Sequence, residues 1–551
     1  MLREFLAGIG RFCADHPYLT LALVLALQII LPIDARGLWF SDEVRYAGVL
    51  RELLDRGHWL VLHLNGEMYP DKPPIYFWFL AGLSKAFGGP TTFVLFLGSA
   101  FSGLFFVWAA VLLARSVAGC GKLAALVSGL VLLSLIYVVG LTQYVRMDLM
   151  FAAIIILSQV CLYHGLSAPA PSRLTVAGFG LAAVATLVKG PLGLAFPLLS
   201  AFVFFAWRGE LTRLKRRDAL LGYALALALL AAWAIGSLLA EGSAYLDTVL
   251  YKQVYRRAVD AWHHDQPWHH YFWTLPLVWL PWTFLLACLP VGRALSRGHW
   301  RALWAVRREA DGPAFIWVML LSGFGLLTVV STKIVVYLLP IFAPLAILTA
   351  RGFLSLSPAL AGRFFGIVAG LYGLLALVAP FAEIANPWGL RVQGLGLVCL
   401  ALLALGASLF RLRHSALPAL AALVLGTILL IQPLGRLTLP SLDGAMSPRA
   451  QALLMKDYVS RGYAPAAFNT YAGIYTYYAG RDVFETQDRA ALSRFLAEHP
   501  AVVLAMKEKD WLAWTERPEG LNVVERQFLV DRPYVLAVRS AGQAMKNNQP
   551  E

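Results

Sequence analysis

Through the first 434 residues, long apolar runs alternate with short polar connections. The runs are hydrophobic on every side rather than along one stripe, the pattern of helices that cross a bilayer. Thirteen segments qualify, at about 18–33, 92–113, 123–141, 148–166, 174–189, 191–207, 219–240, 269–291, 314–331, 334–350, 364–381, 392–410 and 416–434. One more apolar stretch, PPIYFWFLAGLSKAFGG (Pro73–Gly89), falls short of the ~20 residues a span needs. It reads as a helix lying along the membrane surface. From Thr438 onward the pattern is that of a soluble fold. PRAQALLMKDYVSRG and RAALSRFLAEHP have helical spacing, AVVLAMK, LNVVERQFLV and PYVLAVRS read as strands, and AAFNTYAGIYTYYAG mixes tyrosines with turn residues. The expected architecture is an all-α polytopic membrane protein of about 13 transmembrane helices over residues 1–435, with loop and juxtamembrane helices at 35–90. A small α/β soluble domain follows over 436–551 and ends in a frayed tail.

Charge orients this layout. The connections Arg115–Lys122, Arg208–Arg217, Arg293–Arg308, Arg351–Arg363 and Arg411–His414 are all basic. Thirteen spans put every one of them on the cytoplasmic side with Arg3 and Arg11, whereas counting Pro73–Gly89 as a span moves them all outside. The same rule accounts for the formal net charge of +14 in a chain that is 59% hydrophobic and 14% charged, so no nucleic-acid partner is expected. The N-terminus is then cytoplasmic and the C-terminal domain lies outside. The first run shows no cleavage site and stays as an anchor. Five dispersed cysteines without CxxC spacing read as small core residues.

The outer side collects the acids, histidines and lysines that topology does not explain. Asp42 and Glu43, in SDEVRYAGVLREL, suit the first turn of a helix begun at Ser41, and a carboxylate there can also orient an acceptor or take its proton. In EMYPDKPPIYFW two prolines stiffen Lys72, and Tyr69, Tyr76 and Trp78 form an aromatic belt. The lysine suits a lipid phosphate or simply snorkels. Asp148, ahead of LMFAAIII, is costly unless it is paired with Arg146, caps a helix or works. Lys189, in LVKGPLG, binds an anion or marks a turn. The loop YKQVYRRAVDAWHHDQPWHH, which also holds Lys252 and Asp265, offers Arg256 and Arg257 as a phosphate or pyrophosphate clamp, and His263, His264, His269 and His270 as zinc ligands with Asp71 or Glu67. No pair in it has HxxxH spacing, and a merely polar loop stays open. Lys333 and Tyr337, four apart in STKIVVYLLP, share a face if helical, as phosphate ligands or as interfacial anchors. No Walker loop, GxSxG, HExxH or dinucleotide fingerprint is present, so the energy for any group transfer has to reside in the donor, and outside the membrane an activated lipid is the natural one.

Taken in order, DEVRYA, YPDKPP, the acid at Asp148, KGP and TKIVVYLLPIFAPLA resemble the GT-C superfamily of polyprenyl-phosphate-dependent glycosyltransferases. Within it they are most similar to the aminoarabinose transferases of lipid A and, next, to the protein O-mannosyltransferases. The resemblance runs from about residue 35 to 350. It implies a GT-C membrane domain in a bacterial inner membrane with a periplasmic C-terminal domain. The enzyme would be an inverting glycosyltransferase, expected as a monomer, that takes its sugar from polyprenyl (undecaprenyl) phosphate among membrane lipids. The acceptor would be lipid A or another glycolipid. It implies Asp42, Asp148 and Glu43 as the catalytic set: Asp42 orients or activates the acceptor, Asp148 positions a substrate, and Glu43 supports the loop through Arg45 or a backbone donor. Lys72, Arg256, Arg257, Lys333, Tyr337, Tyr69 and Lys189 would bind the donor phosphate. A divalent metal (zinc, magnesium or manganese) stays open, with Asp71 and His264 as its ligands; Asp71 stands where the family commonly has glutamate. Other readings are a protein O-mannosyltransferase-like enzyme, a lipid or sugar transporter or flippase, and a membrane assembly protein.

Overall fold

The computed structural model describes residues 2–249, 266–288, 296–309 and 311–540. The protein is a polytopic, mostly helical membrane protein. Among the described residues, eight helices are long and apolar enough to cross a bilayer, and two bent helix pairs raise the number to ten. Where they are described, the expected segments fall mostly on helix, but they are broken in ways their composition hides. The Gly8–Asp15 part of α1 (Leu2–Asp15) meets α2 (Pro17–Ile29) at 103°, because Pro17 starts a new helix. The segment expected at 123–141 is divided into α6 (Lys122–Leu133) and α7 (Ile136–Leu141). His270–Val278 and Trp282–Cys288 bend by 100° around Pro281.

Between α2 and the spans that follow, the chain builds a polar ledge. α3 (Asp42–Arg56) opens with Asp42 and Glu43 in its first turn and closes on Gly57, left-handed at φ 75°, whose N–H bonds Leu53 O at 3.0 Å. A two-residue ladder of β1 (His63–Leu64) and β2 (Glu67–Met68) leads into α4 (Ile75–Ala86). With 12 residues, α4 is too short to span. α5 (Thr92–Ser116), α8 (Asp148–Ser167), α9 (Arg173–Lys189), α10 (Leu192–Arg208) and α11 (Arg217–Glu241) then form the bundle under this ledge.

Residues 464–539 form a five-stranded sheet in the order β4-β3-β5-β7-β6, flanked by helices Arg449–Ser460 and Arg489–Glu498. β3 (Ala464–Phe468) runs parallel to β4 (Phe484–Thr486) and β5 (Val502–Lys507), while β7 (Arg532–Arg539) is antiparallel to β5 and β6 (Asn522–Leu529). β3 and β4 have no counterpart in the sequence reading, because APAAF carries small residues and FET is too short to alternate. The sheet unit is fastened to the ledge. Gly37 N and Trp39 Nε1 donate to Asp443 at 2.6 and 2.7 Å, Leu38 N donates to Tyr478 Oη at 2.7 Å, and Arg51 Nη1 donates to Thr476 O at 2.9 Å.

Candidate active site

Three helix ends and one connection converge where the ledge meets the bundle. Asp42 stands in the first turn of α3, Arg146 in the connection between α7 and α8, Asp148 at the start of α8 and Lys189 at the end of α9. They form a relay of charges. Arg146 Nη1 lies 3.2 Å from Asp42 Oδ2, and Arg146 Nε donates to Asp148 Oδ2 at 3.0 Å. Lys189 pairs with the other Asp148 oxygen, and its ammonium sits 4.2 Å from the Tyr337 ring centroid. Asp148 therefore has one oxygen on each of two cations and is 3% exposed, while Asp42 keeps one ion pair and is 25% exposed. Burial works against the Arg146 charge, but Asp148, Tyr46 and Asp42 outweigh it and hold the guanidinium above its ordinary value.

Glu43 points the other way. It is fully buried and accepts from Arg36 Nη1 at 2.6 Å, Arg36 Nη2 at 2.9 Å, Trp39 N at 2.7 Å and Val145 N at 2.7 Å. The sequence reading named Arg45 or a backbone donor as its partner; the charged partner is Arg36 rather than Arg45, and the backbone donors are Trp39 and Val145. Arg36 also donates to Gln143 O at 2.9 Å and lies 4.3 Å from the Trp39 ring. One carboxylate thus ties the start of α3 to the connection that carries Arg146. Arg36 was missed, although a lone arginine just past the first apolar run was a signal.

Arg45 instead meets the YPDKPP segment. Its Nη2 donates to Asp71 Oδ2 at 3.0 Å, and its guanidinium lies 5.0 Å from the Tyr69 ring and 4.9 Å from the Tyr471 ring. Tyr69 is 4% exposed, and its phenol has no hydrogen-bond partner among the described residues. Beside it a cavity of about 450 Å³ runs between YPDKPP and the edge strand β4, its polar lining Arg45, Asn65, Tyr69, Asp71, Thr470 and Glu485. Burial pushes the Glu485 carboxyl up to about 7, against the opposing hydrogen bond from Gly473 N at 2.8 Å. Glu485 comes from the tail and was not anticipated; nothing in FET distinguishes it from a surface acid.

The helical spacing assumed for Lys333 and Tyr337 does not hold. Lys333 precedes a 3-10 turn over Val335–Leu338, and its buried ammonium donates to Val330 O at 2.7 Å, while Tyr337 turns to Lys189. Lys72 follows Asp71 on the ledge before α4. Arg256, Arg257 and His264 lie outside the described residues, as do Lys252 and His263. Among the described residues no three His, Cys, Asp or Glu side chains cluster as metal ligands, and the Asp71 carboxylate is engaged by Arg45. The donor set at Asp71 therefore does not by itself fit a metal.

Residues 71–235 match the family model described as dolichyl-phosphate-mannose-protein mannosyltransferase. The undecaprenyl phosphate-alpha-4-amino-4-deoxy-L-arabinose arabinosyl transferase of Aeromonas salmonicida is 33% identical over 367 residues, 65% of this chain and 64% of that protein, just under two thirds of its length. The corresponding transferase 2 of Sodalis glossinidius is 31% identical over 415 residues, 71% of this chain and 67% of that protein. In three dimensions, ArnT from Cupriavidus metallidurans bound to undecaprenyl phosphate superposes with a TM-score of 0.76 at 18% identity, covering 97% of this chain and 98% of that one. The chain has the fold of that protein and belongs to the family of undecaprenyl phosphate-alpha-4-amino-4-deoxy-L-arabinose arabinosyl transferases.

Proposed function

We propose that the protein transfers a sugar from undecaprenyl phosphate to a lipid acceptor, with lipid A the first acceptor to test and aminoarabinose, from the relatives' names, the first sugar. The observation that carries this reading is the relay Asp42–Arg146–Asp148–Lys189–Tyr337 at one end of the membrane helices. In this reading the chain crosses the membrane thirteen times with its N-terminus in the cytoplasm. Residues 1–435 form the transferase domain and 436–551 a periplasmic domain, and the protein acts as a monomer.

The acceptor oxygen attacks the anomeric carbon while the bond from that carbon to the carrier phosphate breaks, so the carrier leaves as undecaprenyl phosphate and the configuration inverts. Asp42, with one ion pair and open access, orients the acceptor and takes its proton when the nucleophile is a hydroxyl. Asp148, held by two cations, positions rather than accepts protons. Lys72, Lys333, Arg256 and Arg257, with Lys189, Tyr69 and Tyr337, supply preorganised charge and hydrogen bonds to the leaving phosphate. The sugar occupies the cavity between Arg45, Asp71 and Glu485.

The test is transfer from radiolabelled undecaprenyl-phosphate aminoarabinose to lipid A by the purified full chain in nanodiscs. Transfer by the wild type, with at least a hundredfold loss in Asp42→Asn at an unchanged unfolding midpoint, supports the reading. Wild-type activity in Asp42→Asn removes its assigned role, and no transfer by the wild type to any lipid acceptor overturns the reading.

A further inference from the structure

A second cavity, of about 370 Å³, opens in the wall of the bundle between α2, α5, α7 and the helix Ala416–Pro433. Most of its lining is aliphatic or aromatic, including Ile29, Phe96, Ile136, Leu141 and Ile431. α5 and the helix that begins at Ala416 are both candidate spans, and the neighbouring Ile30 and Leu31 are 64% and 54% exposed. At that depth the surrounding medium is hydrocarbon, so a cavity of this composition is filled by lipid chains rather than by water.

Its ends are not alike. Arg36, Trp39, Gln143 and Tyr144 close one end. Arg36 is the partner of Glu43, and Glu43 in turn holds Val145 N, next to Arg146. The polar end is therefore continuous with the connection that carries the Asp42 relay. Within the wall, Tyr137 offers a buried phenol with no hydrogen-bond partner among the described residues. A phenol in an apolar slot matches a chain that brings an oxygen acceptor, an acyl ester or amide carbonyl, better than a polyisoprenoid, which has none. Lys189, Lys333 and Tyr337, the candidate ligands of the carrier phosphate, do not line this cavity.

We propose that this cavity is the acyl-chain subsite of the lipid acceptor, holding one ester- or amide-bearing chain between α2, α5, α7 and Ala416–Pro433 so that the headgroup faces Asp42. The inference rests on the reading that the acceptor is a lipid, and it adds that donor and acceptor enter through different walls of the bundle.

Gly140 allows a direct test. It lines the cavity, and a Cβ built there meets nothing within 4 Å. Gly140→Phe plugs the slot. Gly370→Phe, on the helix Pro358–Val378 and equally free of neighbours, is the control. With the nanodisc assay, Gly140→Phe is expected to raise the acceptor KM at least tenfold with the donor KM within twofold, and Gly370→Phe to change neither. Ile136→Trp, at an exposed position on the same wall, gives the same reading should Gly140→Phe misfold. A second arm needs no transfer: phosphatidylglycerol vesicles carrying a diazirine in the sn-2 chain should label peptides spanning 136–144 in the wild type and lose that label in Gly140→Phe. An unchanged acceptor KM in both plugging variants, a rise in donor KM instead, or no label at 136–144 overturns the subsite. Failure of wild-type transfer with labelling intact would instead count against the transferase reading alone.

Discussion

Glu43→Gln separates a carboxylate that holds the site from one that acts in it. Glu43 is 0% exposed and accepts four N–H groups, two from Arg36 and one each from the Trp39 and Val145 backbones. Glutamine keeps one oxygen and turns an NH₂ toward at least one of those donors. It also leaves the Arg36 guanidinium, itself 7% exposed, without its counter-charge. Breaking a buried pair from one side costs roughly 3–5 kcal/mol. In the double variant Glu43→Gln with Arg36→Met the unpaired cation is gone, so the two changes should cost less together than their sum, by about 1–3 kcal/mol. Guanidinium unfolding of the detergent-solubilised chain, followed by tryptophan fluorescence, reads both quantities, and transfer by the refolded-free native fraction reads function. A lowered midpoint, partly recovered in the double variant, is the expected result. A wild-type midpoint with transfer reduced more than a hundredfold would refute the argument and return Glu43 to the chemistry.

Glu485→Gln tests the buried tail acid. Its carboxyl is raised from 4.5 to about 7, so the folded form holds a proton that the unfolded chain has released; its contribution is full below pH 4.5 and is lost as pH rises through 7. That contribution is roughly 3 kcal/mol at most, and the variant should flatten the fall in unfolding midpoint between pH 5 and pH 8; an unchanged pH slope would contradict the assignment. Lys189→Met leaves Asp148 with Arg146 alone, and loss of one partner from this buried cluster should lower stability by about 3 kcal/mol or more, with a denaturation midpoint equal to wild type counting against the relay. Gly103→Ala places a Cβ 2.5 Å from Thr142 Cγ2, at the start of the Arg146 connection. Overpacking there should cost about 1–3 kcal/mol, and no shift in midpoint would mean that α5 and the connection part easily.

The membrane class and much of the ledge were legible because charge at the end of an apolar run is costly and therefore informative. Asp42, Glu43, Asp148 and Lys189 stood out for that reason alone. Their partners did not, because pairing is set by the fold: Arg36 and Val145 meet on Glu43 across more than 100 positions of sequence, and Lys189 reaches Asp148 from the next helix. Glu485 is hidden more deeply, since only the packing of β4 against the ledge distinguishes it from a surface acid. Helix breaks were hidden for a different reason. A span that is apolar on all sides has no stripe whose interruption could mark the bends at Pro17 and near Pro281. The 3-10 turn after Lys333 defeated a spacing argument that presupposed an α-helix.

The pairing pattern also bears on where a carrier phosphate finds its charge. Four acids meet at the ledge, Asp42, Glu43, Asp71 and Asp148, and four cations answer them, Arg146, Arg36, Arg45 and Lys189. The cluster is balanced before any substrate arrives, which is what burial in a low dielectric demands. An incoming phosphate cannot draw on Arg36 without stripping Glu43, nor on Arg45 without releasing Asp71. It can draw on Lys189 only in competition with Asp148, and that competition links the two: a donor that pulls Lys189 away leaves Asp148 leaning more heavily on Arg146, and Arg146 is the cation shared with Asp42. Donor binding would then loosen the hold on Asp42 in the same step that brings the sugar to it. In the proposed reading the rest of the phosphate's counter-charge comes from Lys72, Lys333 and the arginines at 256 and 257.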